Sequence, residues 1–413
     1  MKIAVVAFDT RGGVQPYIAL SAGLQEAGHE VTMITTAGFR NLVSGHGITM
    51  AATTGDTETA VRELGGAAEL SARERNRFMR EQMRATVGQT TAEVLAAAQG
   101  TEVIMAGIGG SLTGRPVAEK LGVPYLEAHL QPLGPPTAAF PGPLLPHVPT
   151  WLGGAGRKAS HRVTDLAVKS MFGDTSRRIR AALDLPARPA PVGGPLPAVY
   201  GFSPHVVPQP PEWGPQRKIT GYWTLPAAPG WAPPAALTDF LASGAPPVCI
   251  GFGSMSSRDP EQLSDLVLEA VRRARVRAVL LSGWGGLAGR GGDDVFVTDE
   301  IPHDWLYPKM AAVVHHGGAG TTGAALTAGV PAVVIPFAVD QRFWASRVAG
   351  LGVGPTPIPR KRLTADNLTG ALRAATTDSA MARRAAGLGA RIRAEDGVST
   401  AVDHLNAYFG GRT

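Results

Sequence analysis

Short apolar runs that end in glycine and lead into a helix constrain this chain most. The first is Ile3-Ala4-Val5-Val6-Ala7-Phe8, followed by the turn Arg11-Gly12-Gly13. A helix comes next, with Ile18, Leu20, Leu24 and Ala27 on or near one stripe, and it ends at Gly28. A run apolar at every position fits a strand buried on both faces, as in a parallel sheet. Val31 to Thr35 supplies the following strand and completes a strand–turn–helix–strand unit. Thr101–Gly110 repeats the theme: strand Glu102–Ala106, glycines 107, 109 and 110, a helix ending near Leu121-Gly122, then strand Val123–Glu127.

The pattern then starts afresh. Pro247–Phe252 reads as a buried strand, Gly253-Ser254-Met255 as a turn and Gln262–Arg273 as a helix. Ala278–Ser282 and Ala311–His315 are further strands, the second leading through glycines into the helix Thr321–Ala328 and the strand Val330–Pro336. The expected fold class is therefore α/β: two doubly wound, Rossmann-like domains facing each other across a cleft. Residues 1–202 form the first domain and 218–413 the second, with the last helix free to pack back on the first. Residues 203–217, which hold five prolines, are read as the linker.

At 413 residues the chain is long enough for two or three domains. Its apolar fraction of 44% reads as globular. A single cysteine, Cys249, excludes an intrachain disulfide framework and a Cys-based zinc site. No stretch approaches the roughly 18 apolar residues of a membrane span. The start is too short for a signal peptide, so a cytoplasmic protein is expected. The charge of +6 is spread out and lacks the basic-aromatic interleaving of a nucleic-acid site. It suits an anionic ligand, and it leaves peripheral contact with a membrane surface open.

Residues 132–155 are rich in Pro and Gly and carry Phe140, Leu144, Leu145 and Trp151, which reads as an ordered binding loop. Residues 161–183 look helical. Val163, Leu166, Ala167, Ser170 and Met171 form one stripe, and Arg157, Lys158, Arg162, Lys169, Arg177, Arg178 and Arg180 sit opposite as a solvated face.

The most specific stretch is Ala311-Ala-Val-Val-His315-His316-Gly317-Gly318-Ala319-Gly320-Thr321-Thr322. A strand runs into glycines and then into a helix N-terminus, whose free N–H groups and dipole favour an anion. The Gly-Lys-Ser/Thr ending of a Walker loop is absent. About twenty residues later Ile335-Pro336-Phe337 ends a strand, and Asp340-Gln341 follow. An acid and an amide at a strand's carboxyl end can bridge vicinal hydroxyls. Taken alone, the pair reads equally well as a helix N-cap. Beside an anion loop, a sugar attached to a phosphate is the better reading.

Together Gly251-Phe-Gly-Ser-Met, Ser282-Gly-Trp-Gly-Gly, Ile301-Pro-His-Asp-Trp-Leu, His315-His-Gly-Gly-Ala-Gly-Thr-Thr and Pro336-Phe-Ala-Val-Asp-Gln resemble the nucleotide-sugar glycosyltransferases of the GT-B fold. The resemblance is nearest to the branch of sterol glucosyltransferases and bacterial glycopeptide- and macrolide-antibiotic glycosyltransferases. It covers nearly the whole chain, is dense from 247 to 354 and is sparse from 40 to 200. It implies that His316, with His315 close by, and the backbone from Gly318 through Ala319 and Gly320 to Thr321 hold a donor diphosphate. It implies that Ser254 faces the same group. It implies too that Trp284 stacks on the nucleobase, that Ile301 bonds it through the main chain, and that His303 belongs to the same nucleoside site. Asp340 and Gln341 hold the sugar. For Trp284, core packing is an equal alternative. The resemblance implies a uridine or thymidine diphosphate sugar as donor and a lipophilic small molecule such as a sterol, macrolide or polyketide as acceptor. Neither a metal nor a cofactor is implied.

One departure matters. The family's turn is Gly-Asp-Val-Gln/Glu-Pro, and here Gly13 stands at its Asp, whereas the preceding strand end carries Asp9 in place of a small residue. Asp9 is thus the candidate catalytic base for an inverting transfer, with His129 as rival and helix capping as its bland alternative. Two other functions stay open: a nucleotide-sugar epimerase on the same architecture, and a non-catalytic partner of a second transferase. A dinucleotide oxidoreductase is disfavoured, because the strand Val31–Thr36 ends without an acid for the ribose.

Overall fold

The computed structural model of the chain describes residues 1–55, 72–189, 196–228, 230–253, 260–283, 291–337 and 340–410. They divide into two compact units. One takes the residues up to Leu225 together with those from Asp396 onward, and the other takes Pro226 to Glu395.

The first unit holds a seven-stranded sheet in the order β3-β2-β1-β4-β5-β6-β7. Its strands are β1 (Lys2–Val6), β2 (Glu30–Thr36), β3 (Thr49–Thr53), β4 (Val103–Ala106), β5 (Tyr125–His129), β6 (Ala198–Tyr200) and β7 (Arg217–Ile219). Every pairing is parallel, with Ile3 of β1 opposite both Val31 and Val103. Ile3, Ala4, Val5 and Val6 are all buried, which is why the opening run is apolar at every position. The helix Ile108–Leu121 comes so close to β1 that a Cβ on Gly110 would lie 2.1 Å from the Val6 carbonyl oxygen. The last helix, Gly397–Gly410, packs on the helix Arg11–Glu26: Gly23 leaves room for Val398, and His29 Nε2 meets Asn406 Oδ1 at 2.8 Å.

The second unit holds a five-stranded parallel sheet in the order β10-β9-β8-β11-β12. Its strands are β8 (Val248–Gly251), β9 (Ala278–Leu281), β10 (Val295–Thr298), β11 (Ala312–His315) and β12 (Ala332–Val334). Cys249 is buried in β8, a small core residue as its apolar neighbours imply. Thr364 and Asn367 form a reciprocal capping box at the start of the helix Ala365–Thr377, whose Leu368 and Leu372 enter the core over β8 and β11.

Two regions depart from the sequence reading. Residues 203–217 lie inside the first unit rather than between units. Trp213 is buried there, its indole donating to the Pro135 carbonyl at 2.9 Å and stacking on Tyr200 at 4.5 Å. The chain passes into the second unit at Leu225–Pro226. The prolines shape a turn into the edge strand β7, where a missing N–H costs least.

The second departure is the long helix, Gly153–Ala182. Its buried residues are Ser160, His161, Thr164, Thr175, Ile179 and Arg180, while Val163 and Leu166 face outward. The polar side is inward because the loop before the helix needs it. Ser160 Oγ accepts from Gly142 N at 2.8 Å, and His161 Nε2 donates to the Phe140 carbonyl at 2.9 Å. Arg180, expected among the solvated cations, is buried and makes a two-pronged pair with Glu119 at 2.7 and 2.8 Å. Among the described residues, no helix is long and apolar enough to cross a membrane.

Candidate functional site

In the five-stranded sheet the order reverses beside β8, which has β9 on one side and β11 on the other. Open parallel sheets bind ligands at such a switch point, outside the carboxyl ends of the strands. The parallel register sets His315 opposite Gly251, so the segments after β8 and β11 leave the sheet side by side. The His316 ring fills the space they share. A Cβ on Gly253 would lie 3.2 Å from its Cε1, and one on Gly318 would lie 2.5 Å from its Nε2. Gly253 has φ +61, a left-handed backbone that glycine adopts without strain. Gly283, after β9, approaches as closely: its Cβ would lie 2.7 Å from the Gly253 carbonyl oxygen.

From Gly318 the chain enters the helix Ala319–Ala328, with no side-chain cap and no acid in its first turn. The first helical N–H to find its partner is that of Thr322, which donates to the Gly318 carbonyl at 2.9 Å. Ala319, Gly320 and Thr321 therefore present N–H groups with no acceptor inside the helix, at the positive end of its dipole.

Both histidines are held neutral. His315 is fully buried, and its Nδ1 accepts from Gly317 N at 3.0 Å. That bond leaves the proton on Nε2, which is buried without a partner. Burial, with smaller contributions from His316 and His303, brings the His315 pKa down to about 3. Burial alone brings His316 down to about 4, and its Nδ1 is also sealed off without a partner.

Gln341 is buried, and its Oε1 accepts from Phe337 N at 2.7 Å. Asp340 precedes the helix Gln341–Gly350 and accepts from the Trp344 indole at 3.2 Å, so the pair is tied to its own strand–helix turn. Ile301 is buried at the start of a short helical turn, and His303 stacks on Tyr307 with ring centres 4.4 Å apart. Ser254 and Trp284 lie outside the described residues.

In the first unit the turn after β1 holds the second candidate group. A Cβ on Gly13 would lie 2.2 Å from Asp9 Cγ and 2.3 Å from its Oδ2. The Asp9 carboxyl thus occupies the volume a side chain at position 13 would take. Its Oδ1 accepts from Thr10 N at 2.6 Å, not from the N–H groups of the helix Arg11–Glu26. Burial raises its pKa above the ordinary carboxylate range, against the smaller opposing pull of the Thr10 bonds.

His129 is set differently. It is 7% exposed, its Nε2 lies 3.5 Å from Glu127 Oε2, and its Nδ1 is buried without a partner. Glu127 in turn meets Arg217 at 3.1 Å, and Arg217 donates to Tyr200 Oη at 3.0 Å. Sequence reading missed this buried network. Its only trace was a polar residue at alternate positions of strands that are otherwise apolar.

Residues 3–135 match the model of the Glycosyltransferase family 28 N-terminal domain. Residues 287–405 match that of the Erythromycin biosynthesis protein CIII-like C-terminal domain. The chain is 34% identical over 440 residues to a sterol 3-beta-glucosyltransferase of Arabidopsis thaliana, covering 99% of this chain and 68% of that protein. It is 36% identical over 430 residues to a sterol 3-beta-glucosyltransferase of Neosartorya fischeri, covering 98% of this chain but 29% of that one. It thus spans about two thirds of the plant relative and under a third of the fungal one. Among solved structures, the glycotransferase of kitacinnamycin aligns with TM-score 0.69 and 22% identity over 98% of both chains. A Streptomyces sp. SF2575 glycosyltransferase, complexed with thymidine diphosphate, aligns with TM-score 0.63 and 20% identity over 98% of this chain and 99% of that one. These two likenesses show the fold.

The buried imidazoles generate a pH prediction. A histidine in the unfolded chain titrates near 6.5. Below that pH the unfolded chain takes up protons that folded His315 and His316 refuse. Stability present above pH 6.5 is therefore lost as the pH falls toward about 3 and 4. In His315→Asn the amide oxygen can still accept from Gly317 N but cannot titrate. Its Tm, followed from pH 6.5 to 4.5, should fall less steeply than that of the wild type. An identical slope would mean that His315 does not stay neutral.

Proposed function

Because the chain belongs to the nucleotide-sugar glycosyltransferases of the GT-B fold, we propose that it transfers a sugar, with inversion and without a metal ion, from a uridine or thymidine diphosphate donor to a hydroxyl of a lipophilic, sterol-like acceptor. The observation that carries this reading is the His316 imidazole laid over Gly253 and Gly318, at the amino end of the helix Ala319–Ala328. That arrangement suits a diphosphate. The N–H groups of Ala319, Gly320 and Thr321 meet its oxygens, and the helix dipole stabilises the negative charge that grows on the leaving phosphate as the glycosidic bond breaks. A fixed dipole in a dry site does for the leaving group what a divalent ion would otherwise do.

Asp340 and Gln341 receive the sugar hydroxyls, after exchanging some of the contacts they make to Trp344 and Phe337. Ile301, His303 and Trp284 form the nucleoside side. The sterol-like acceptor is supported by the names of the curated relatives, and the thymidine alternative by the nucleotide in the Streptomyces neighbour.

On the acceptor side Asp9 takes the hydroxyl proton. The acceptor oxygen then attacks the anomeric carbon from the face opposite the diphosphate, forming one C–O bond as the other breaks and inverting the centre. A carboxyl whose pKa is raised by burial is a stronger base than an exposed one, and Asp9 is half-buried in its turn rather than sealed in the core. His129 is the weaker claimant, because its Nε2 faces Glu127 inside the sheet's side-chain network and its Nδ1 is buried without a partner. Asp9 and Gly13 act as one unit: the base sits where it does because position 13 has no side chain.

Three measurements test the reading. Incubation with UDP-glucose or dTDP-glucose and a 3-hydroxysterol, in excess chelator, should give a steryl glycoside with inverted anomeric configuration by NMR. A strict requirement for a divalent ion, or retention, would overturn the mechanism. By calorimetry, His316→Ala should weaken nucleoside diphosphate binding by about 1.5–3 kcal/mol, the scale of a hydrogen bond to a charged group. Unchanged affinity in a folded variant would remove His316 from the donor site. Asp9→Asn should lose about 100-fold or more in turnover with donor binding intact. Gly13→Ala, which leaves the carboxylate in the chain but displaces it, should lose turnover in the same direction. Full activity in both variants, with loss in His129→Gln, moves the base to His129.

A further inference from the structure

The large apolar side chains that stand out into solvent are concentrated in one place. Of the six strongly exposed ones among the described residues, five are Leu145, Trp151, Leu152, Val163 and Leu166. Trp151 is 82% exposed and Leu166 68%, far beyond what a loosely packed core residue shows. On the helix Gly153–Ala182, Ala155, Ala159, Val163 and Leu166 follow at intervals of four, four and three residues, all exposed, so they form one stripe running from the Trp151-Leu152 turn. The opposite, polar side of the helix is the one that packs inward. The inward polar side serves the loop before the helix, and it leaves outside two side chains whose burial would have contributed about 1.5–3 kcal/mol each.

Charge accompanies the stripe. From Pro146 to Ser170 the chain carries Arg157, Lys158, Arg162 and Lys169 against one carboxylate, Asp165. Arg162 and Lys169 are exposed and lie along the edge of the stripe, with Lys158 one row further out and paired with Glu212 at 3.5 Å. A tryptophan and aliphatic residues at the centre, with cations at the margin, match the layers of a bilayer surface. The indole sits at headgroup level, the aliphatic chains reach the acyl boundary and the cations meet anionic headgroups. We propose that this face, from Leu145 to Lys169, docks the protein onto an anionic lipid surface. The proposal does not depend on the catalytic reading, though a lipid phase is also where a lipophilic acceptor would reside.

The test is co-sedimentation of the whole protein with phosphatidylcholine vesicles, with and without phosphatidylglycerol, at low and high salt. The wild type should bind the anionic vesicles far more tightly and lose most of that binding in high salt. Leu166→Asp should reduce binding about tenfold or more, the scale of one aliphatic side chain withdrawn from an apolar phase. Arg162→Gln combined with Lys169→Gln should reduce binding to anionic vesicles by about 30-fold, near fivefold per cation, and leave the weak binding to neutral vesicles unchanged. All three residues are exposed, so the variants should keep the wild-type Tm. Failure of the wild type to bind anionic vesicles would overturn the proposal, as would equal binding by the variants. A wild-type dimer that Leu166→Asp converts to monomer, with no vesicle binding by either, would assign the face to a second copy of the chain instead.

Discussion

The pairing of β11 with β8 is the contact on which the donor side depends. A parallel ladder brings all carboxyl ends to one edge of the sheet, and the register that opposes His315 to Gly251 brings their two turns together there. Without that register, the His316 ring would have no Gly253 to lie against, and the helix Ala319–Ala328 would start elsewhere. The glycines then follow as a necessity. Two turns and an imidazole cannot converge within contact distance if each backbone also carries a Cβ.

The electrostatics of the site follow from the same convergence. Neutral imidazoles add no charge of their own, so the attraction for an anion comes from oriented N–H groups, which need no counterion when the site is empty. The orphaned Nε2 of His315 and Nδ1 of His316 are the cost of packing two histidines at a strand end. That cost, of a scale of about 1–3 kcal/mol for each unpaired buried polar group, is tolerable in a sheet buried on both faces. In the first unit, the Asp9 carboxyl makes the same kind of bargain: burial that raises its pKa also makes it a better proton acceptor.

The region from residue 132 to 182 shows how a loop can turn a helix over. Phe140 is buried against Trp213 and His161, and the backbone it drags inward needs hydrogen bonds. Ser160 and His161 provide them, so the polar side of the helix packs inward and the apolar stripe is left outside. Local periodicity correctly kept all the cations but Arg180 in solvent, but the side that packs inward is neither the apolar stripe nor the cationic face: it carries Ser160, His161, Thr164 and Thr175. The backbone groups of a neighbouring loop decided the matter, and no hydrophobic pattern encodes those.

The sequence by itself determined the two restarting α/β patterns, the strands buried on both faces, the glycine turns at their carboxyl ends and the family these motifs resemble. Those features are local: an apolar run, a glycine and a helix period can be read within a dozen residues of one another. Only the tertiary structure decided that Asp9 fills the space above Gly13, that Arg180 is buried against Glu119, and that Glu127, His129 and Arg217 form one network. The last two depend on side chains that the chain brings together by different routes, such as Glu127 and Arg217 from strands separated by the whole long helix, and the first depends on how one turn folds back on itself. A sequence states which charges exist. Which ones meet, and which are left in solvent, is set by how the elements pack.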